Sequence, residues 1–172
     1  DGNLATTNDN ASTATVFDVV VTPVNDSPTI NALTDLEISE NATQQVVQLA
    51  GISAGGGETQ DLLITASSSN SVLMANPVVS YTSDNTTGTI TFQPVANTGG
   101  QTTVTINVID AGLDGDIDTP NDNATTSTSF LVIINDTNAA PTIDSIADIT
   151  AVEDGGTQQI SLTGIFAGPN ET

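Results

Sequence analysis

The sequence predicts an all-β protein made of tandem Greek-key β-sandwich repeats with seven strands each. Three observations predict it. Every apolar segment alternates with a period of two, the mark of half-buried strands. Turn clusters punctuate the chain at short intervals, and no segment shows the i, i+3, i+4 apolar spacing of a helix. Finally, the chain contains two copies of one pattern. NDNASTATVFDVVVTPVNDSPTI (8–30) aligns with NDNATTSTSFLVIINDTNAAPTI (121–143), so that Phe17 falls on Phe130 and Pro28 on Pro141, 113 positions later. GISAGGGET (51–59) falls on GIFAGPNET (164–172) at the same spacing. A fixed period of this size marks an array of small domains.

The repeat divides the 172 residues into three parts. Residues 1–26 read as the last strand and linker of one repeat. Residues 27–138 read as one complete sandwich, and residues 139–172 as the first two strands of another. The chain therefore reads as a stretch of a longer, string-like protein. Within the complete repeat, strands are expected at 30–33 and 36–39, which form one kinked first strand. Others follow at 45–50, 62–67, 78–82, 88–94, 102–110 and 126–134. In 102–110, Val104, Ile106 and Val108 share a face. In 126–134, Phe130, Val132 and Ile134 do the same, which makes Phe130 a core residue and assigns Phe17 that part in the preceding repeat. The turns fall at 55–57, 83–85, 98–100 and 113–123. Pro23, Pro28 and Pro141 stiffen the crossings between repeats.

Charge is the second source of information. There is no Lys, Arg or His against 21 Asp plus Glu, a formal net charge of −21. No carboxylate can find a cationic side chain within the chain, and self-repulsion on this scale opposes compaction. Divalent cations are the expected neutraliser. Nucleic acid is excluded as a partner, because nothing here meets a phosphate, and an anionic membrane surface is disfavoured for the same reason. No run of 18 apolar residues exists to insert into a membrane. With no Cys there is neither a disulfide framework nor a thiolate metal site. With no His, Cys or Lys, the usual general bases and activated nucleophiles are missing, so no enzyme is expected.

The densest acidic cluster is IDAGLDGDIDTPNDN (109–123). Asp114, Asp116 and Asp118 stand at i, i+2 and i+4, with Asp122 at i+8. That spacing resembles the oxygen ligands of a calcium loop. It departs at Thr119, where such loops carry Gly, and at Thr125, where they carry Glu. A second constellation follows from topology. In a seven-strand sandwich the loops after the second, fourth and sixth strands share one end. Asp26, Glu58, Asp61 and Asp110 are thus expected to converge where the preceding linker arrives. Without a cation they would repel.

The passages VTINVIDAG (104–112), TSTSFLVIINDTNAAPTI (126–143) and VNDSPTI (24–30) resemble bacterial cadherin-like repeats of large calcium-dependent surface adhesins. The resemblance implies an extracellular, cell-surface location, an extended rod used for adhesion or spacing, and Ca²⁺ at the domain junctions. Position by position, Asn25 and Asp26 match the linker residues, as do Asp136 and Asn138. Glu40 and Glu153 match the glutamate after the first strand, Asp110 the aspartate of the last turn, and Glu58 with Asp61 the paired acids of the second loop. The Asp-Arg-Glu motif of such repeats is missing, since the chain has no Arg. The partners expected are neighbouring repeats or copies of the same protein, in a filament or a continuous string, which cover the strand edges of the two partial repeats. The alternative reading is a carbohydrate-binding accessory module of a secreted enzyme. Aromatic residues are few for a glycan platform, at four Phe and one Tyr.

Overall fold

The computed structural model describes residues 12–168. Among the described residues seven strands form, all between residues 36 and 135: β1 (Leu36–Ser39), β2 (Gln45–Ala50), β3 (Leu62–Ser68), β4 (Val78–Ser80), β5 (Thr87–Phe92), β6 (Gly100–Asp110) and β7 (Thr125–Asn135). Among the described residues there is no α-helix, and so none long and apolar enough to cross a membrane. The strands make two sheets, ordered β1-β7-β6-β3 and β2-β5-β4. All pairings are antiparallel except β1 with β7, which is parallel. This is a Greek-key sandwich, as the sequence predicts.

The expected strand at 30–33 is replaced by a shorter contact. Thr29 forms an isolated bridge with Ser53, and the Asn31 amide donates to the Ala50 carbonyl. The chain then crosses to the other sheet and pairs as β1. This switch is the physical content of the expected kink. β5 ends at Phe92 rather than at 94: Pro94 has no amide to donate to the ladder and instead forms an isolated bridge with Met74.

Period-two patterning dictates the core. Val104, Ile106 and Val108 of β6 face Leu49, Ile90 and Phe92 from the opposite sheet, joined by Phe130, Val132 and Ile134 of β7. The rings of Phe92 and Phe130 lie 6.4 Å apart at 41°, a tilted contact that favours aromatic pairing. Leu73 and Met74, from the segment between β3 and β4, close the core at one end.

Outside the seven-stranded sandwich the pattern changes. Residues 12–24 form no strand, and Phe17 is 82% exposed where its counterpart Phe130 is 3% exposed. The expectation that Phe17 is a core residue is not met among the described residues, because no strand faces it there. Residues 139–168 carry one bridge, Thr142 with Phe166. It repeats the Thr29–Ser53 bridge 113 positions later, and the Asp144 amide bonds the Thr163 carbonyl as Asn31 bonds Ala50. Gly51 and Gly164 both take positive φ, +69° and +65°, beside the side chains of Asn31 and Asp144.

Candidate functional site

The two ends of β6 show how the site arises. The same alternation that buries Val104, Ile106 and Val108 also points Thr102 and Asp110 inward. Each therefore plugs one end of the core with a polar group. Thr102, 2% exposed, is satisfied: its hydroxyl lies 2.9 and 3.2 Å from those of Ser68 and Ser69 and accepts from the Asn70 amide at 3.1 Å. Asp110 is fully buried and asymmetric. Its Oδ1 accepts from the Gly112 amide at 3.0 Å, the Ala124 amide at 2.8 Å and Asn25 Nδ2 at 3.1 Å. Its Oδ2 has no partner. A buried carboxylate oxygen without a donor or a cation is strongly disfavoured.

The surroundings extend this deficit. Asn25 reaches in from the linker and bridges Asp110 Oδ1 to the Asp122 carbonyl at 2.9 Å. Its own Oδ1 accepts from Gln60 Nε2 at 2.6 Å, and Gln60 Nε2 also donates to Glu58 Oε2 at 3.0 Å. Glu58 Oε2 accepts in turn from the Asp26 amide at 3.1 Å. Gln60 Oε1 in this network is enclosed and unpartnered as well, and so is Asn123 Oδ1 in the loop after β6, whose amide donates to the Ile117 carbonyl at 2.9 Å. Asn123 lies between Asp122 and Ala124, both of which bind the Asn25–Asp110 pair. The linker, the loop after β2 and the loop after β6 thus meet in one network, two of whose enclosed oxygens, Asp110 Oδ2 and Gln60 Oε1, lack donors.

The acids predicted from the sequence divide between this end, the long loop and the opposite end. Glu58 and the backbone of Asp26 belong to the network, and the Asp26 carboxylate rests against Gly56. Asp61 is exposed and contributes its carbonyl to the Ala111 amide. In the loop after β6, the carboxylates cap backbone amides in sequence. Asp114 Oδ1 accepts from the Asp116 amide at 2.9 Å, Asp116 Oδ1 from Asp118 at 3.0 Å, and Asp122 Oδ2 from Leu113 at 2.8 Å. Asp114 Oδ2 also accepts from the Thr119 hydroxyl at 2.6 Å. That bond, with the Asp116 amide, holds the exposed Asp114 carboxyl below its ordinary pKa of 3.8. Glu40, Asp136 and Asn138 sit at the opposite end, since β1 and β7 both finish there. Glu40 is 8% exposed and accepts from the Thr137 hydroxyl at 2.7 Å and amide at 3.2 Å. Asp136 lies against Gly99. Asn138 and Glu153 are exposed. Among the described residues, no three carboxylates converge as a metal cage.

The unpartnered oxygens at this end of the sandwich are of a chemistry that suits a hard cation: one carboxylate and two amides, and calcium takes 6–8 oxygen ligands of these kinds. Gln60 and Asn123 escape a reading that counts acids, because amide oxygens carry no charge. The available signal is alternation: Asp110 continues the buried face of Val104, Ile106 and Val108.

Beside this network lies a cavity of about 330 Å³ lined by Ile52, Leu62, Tyr81 and Asp84 among others. Tyr81 is the chain's one tyrosine. Its hydroxyl is enclosed and unpartnered, and burial first, then the carboxylates of Asp84 and Asp61, push its pKa up. A single ring is a small platform for a sugar.

No protein-family model matches the chain, and no curated protein does. Solved structures resemble it in outline. Domains 4 and 5 of the S-layer protein SbsC align with a TM-score of 0.42 at 16% identity, over 66% of this chain and 53% of that one. The titin domains z1z2 in complex with telethonin align at 0.41 and 8% identity, over 72% and 55%. The PapD-like domain 7 of human CEP192 aligns at 0.38 and 13% identity, over 74% and 99%. The chain spans about half the length of the first two. The sandwich assignment stands on the strand pairing described above.

Proposed function

We propose that this chain is part of an extracellular structural or adhesive protein built from tandem β-sandwich repeats, whose acidic domain ends bind calcium and stiffen the junctions. One observation carries the reading. Asp110 is fully buried with Oδ2 unpartnered, where the linker residue Asn25 docks, in a chain with no cationic side chain. The recurrence of the Thr29–Ser53 bridge at Thr142–Phe166 supports the repeat, with residues 27–138 as the complete unit.

Asp110, Gln60 and Asn123 would hold the ion, with Glu58 and Asp26 at the rim. Calcium would supply the positive charge that the enclosed oxygens lack. The chain's own residues do the rest: Asn25 fastens the linker, and the amides of Gly112 and Ala124 orient the Asp110 carboxylate. For a dissociation constant of ~10⁻⁴ to 10⁻³ M, typical of extracellular sites, millimolar calcium stabilises the fold by only about 0.4–1.4 kcal/mol per site. That is small against folding and large against the bending of a linker. Binding therefore decides whether a junction is stiff or hinged.

Calorimetric titration of the chain with calcium tests this. We expect a saturable heat in that affinity range, with a rise in melting temperature. Neither heat nor a rise would contradict the calcium reading.

A further inference from the structure

The carboxylates are not spread evenly over the sandwich. Residues 41–57, 62–83 and 85–109 contain no Asp or Glu. These segments supply β2, β4 and β5, so the three-stranded sheet carries no charge at all. The four-stranded sheet differs at one edge, where β1 carries the exposed Glu37; its other strands present no exposed acid, since Asp110 at the end of β6 is buried. On the outer face of the three-stranded sheet, Val46 and Val78 flank Thr91, and Gln48 and Ser80 flank Thr89. Both valines are strongly exposed, at 57% and 68%.

We infer that this uncharged face, centred on the Val46–Thr91–Val78 row, is a lateral contact with a second copy of the same chain. Charge selects the occupant. A cationic partner would be drawn to the acidic ends, and this sheet offers it nothing. A second copy finds no opposite charge anywhere on a chain of net charge −21. It is repelled by the ends and by the edge bearing Glu37. The neutral sheet is where two copies approach without facing carboxylates, and exposed valines there gain by leaving water.

The contact is small. Three strands about 4.8 Å apart and six residues of about 3.4 Å cover roughly 300 Å² per copy, against about 800 Å² per partner in a stable interface. One such contact is weak, and it holds only when many act together. The inference deepens the proposed structural role and rests on it, giving parallel rods a side on which to bundle.

The test displays the 172-residue chain densely on beads, in buffer with a calcium chelator, and measures bead clustering by light scattering. Clustering is expected to rise with salt, because screening relieves repulsion between the acidic ends; an interface of ion pairs would weaken instead. Val46→Asp and Val78→Asp each place a carboxylate against its like and are expected to reduce clustering about tenfold. Both sites are exposed, circular dichroism checks the fold, and either variant alone suffices. Thr105→Asp, on the outer face of the other sheet, is expected to cluster like the original. No clustering at any salt overturns the inference. So does a folded Val46→Asp or Val78→Asp that clusters normally, or a Thr105→Asp that abolishes clustering. Because calcium is chelated throughout, failure here leaves the calcium titration standing, and the reverse.

Discussion

Phe130 and Phe17 occupy the same place in two copies of one pattern, yet one is 3% exposed and the other 82%. The strand around Phe130 lies between β6 and β1 and faces Phe92 across the core. The segment around Phe17 has no strand beside it among the described residues. Burial is thus a property of the set of strands, and a strand's own pattern states only which face would be buried. The same contrast holds between Ile38, which packs on the core, and its counterpart Ala151 among the exposed Ile149 and Val152.

The comparison can be broken most sharply at the phenylalanines. Phe130→Ala is expected to destabilise the chain by about 3–5 kcal/mol, as a buried aromatic truncation. Phe17→Ala is expected to stay within about 0.5 kcal/mol, as an exposed change. Chemical denaturation of both variants measures the difference, and equal losses would mean that the first copy is closed in solution.

The next effect concerns the two ends of β6. Asp110→Ala strands the amides of Gly112 and Ala124 and the side chain of Asn25. A loss of about 2–3 kcal/mol is expected in chelating buffer, measured by denaturation. A loss below 1 kcal/mol would show that water serves those donors as well.

Smaller still is the contrast between the two glycines. Gly51→Ala forces a side chain into a positive-φ position beside Asn31 and is expected to cost about 1–2 kcal/mol. Gly164→Ala is expected to leave the melting temperature nearly unchanged, since the bridge around it adds little to the central core. Thermal melts of the two variants decide this.

The smallest effect is electrostatic. Asp114 has a lowered pKa, so its contribution is present above its unfolded value and lost as pH falls through the folded one, below 3.8. Thr119→Val removes the first cause of the shift. The Asp114 midpoint should then move up towards its ordinary value in an NMR titration, and an unmoved midpoint would assign the shift to the Asp116 amide.

Much of the fold was legible because alternation and turns are local signals. Val104, Ile106 and Val108 announce a buried face without reference to any partner. The switch of the first strand between sheets was visible only as a break around Leu33. Its pairing depends on Ala50 and Ser53, which no local pattern reveals. At the candidate site the acids could be counted but not placed. Asp114, Asp116 and Asp118 have the spacing of a calcium loop, yet the carboxylates of Asp114 and Asp116 each accept from the backbone amide two residues on. Asp110 carries the site because its register turns it inward, and Gln60 joins through a tertiary contact with Asn25.

The most direct test follows the side-chain carboxyl and amide NMR signals while calcium is titrated into the chain. The account predicts that the Asp110 carboxyl carbon and the side-chain amides of Gln60 and Asn123 shift together, saturably and with one affinity. Shifts confined to the exposed carboxyls of Asp114, Asp116 and Asp118, with Asp110 unmoved, would contradict it.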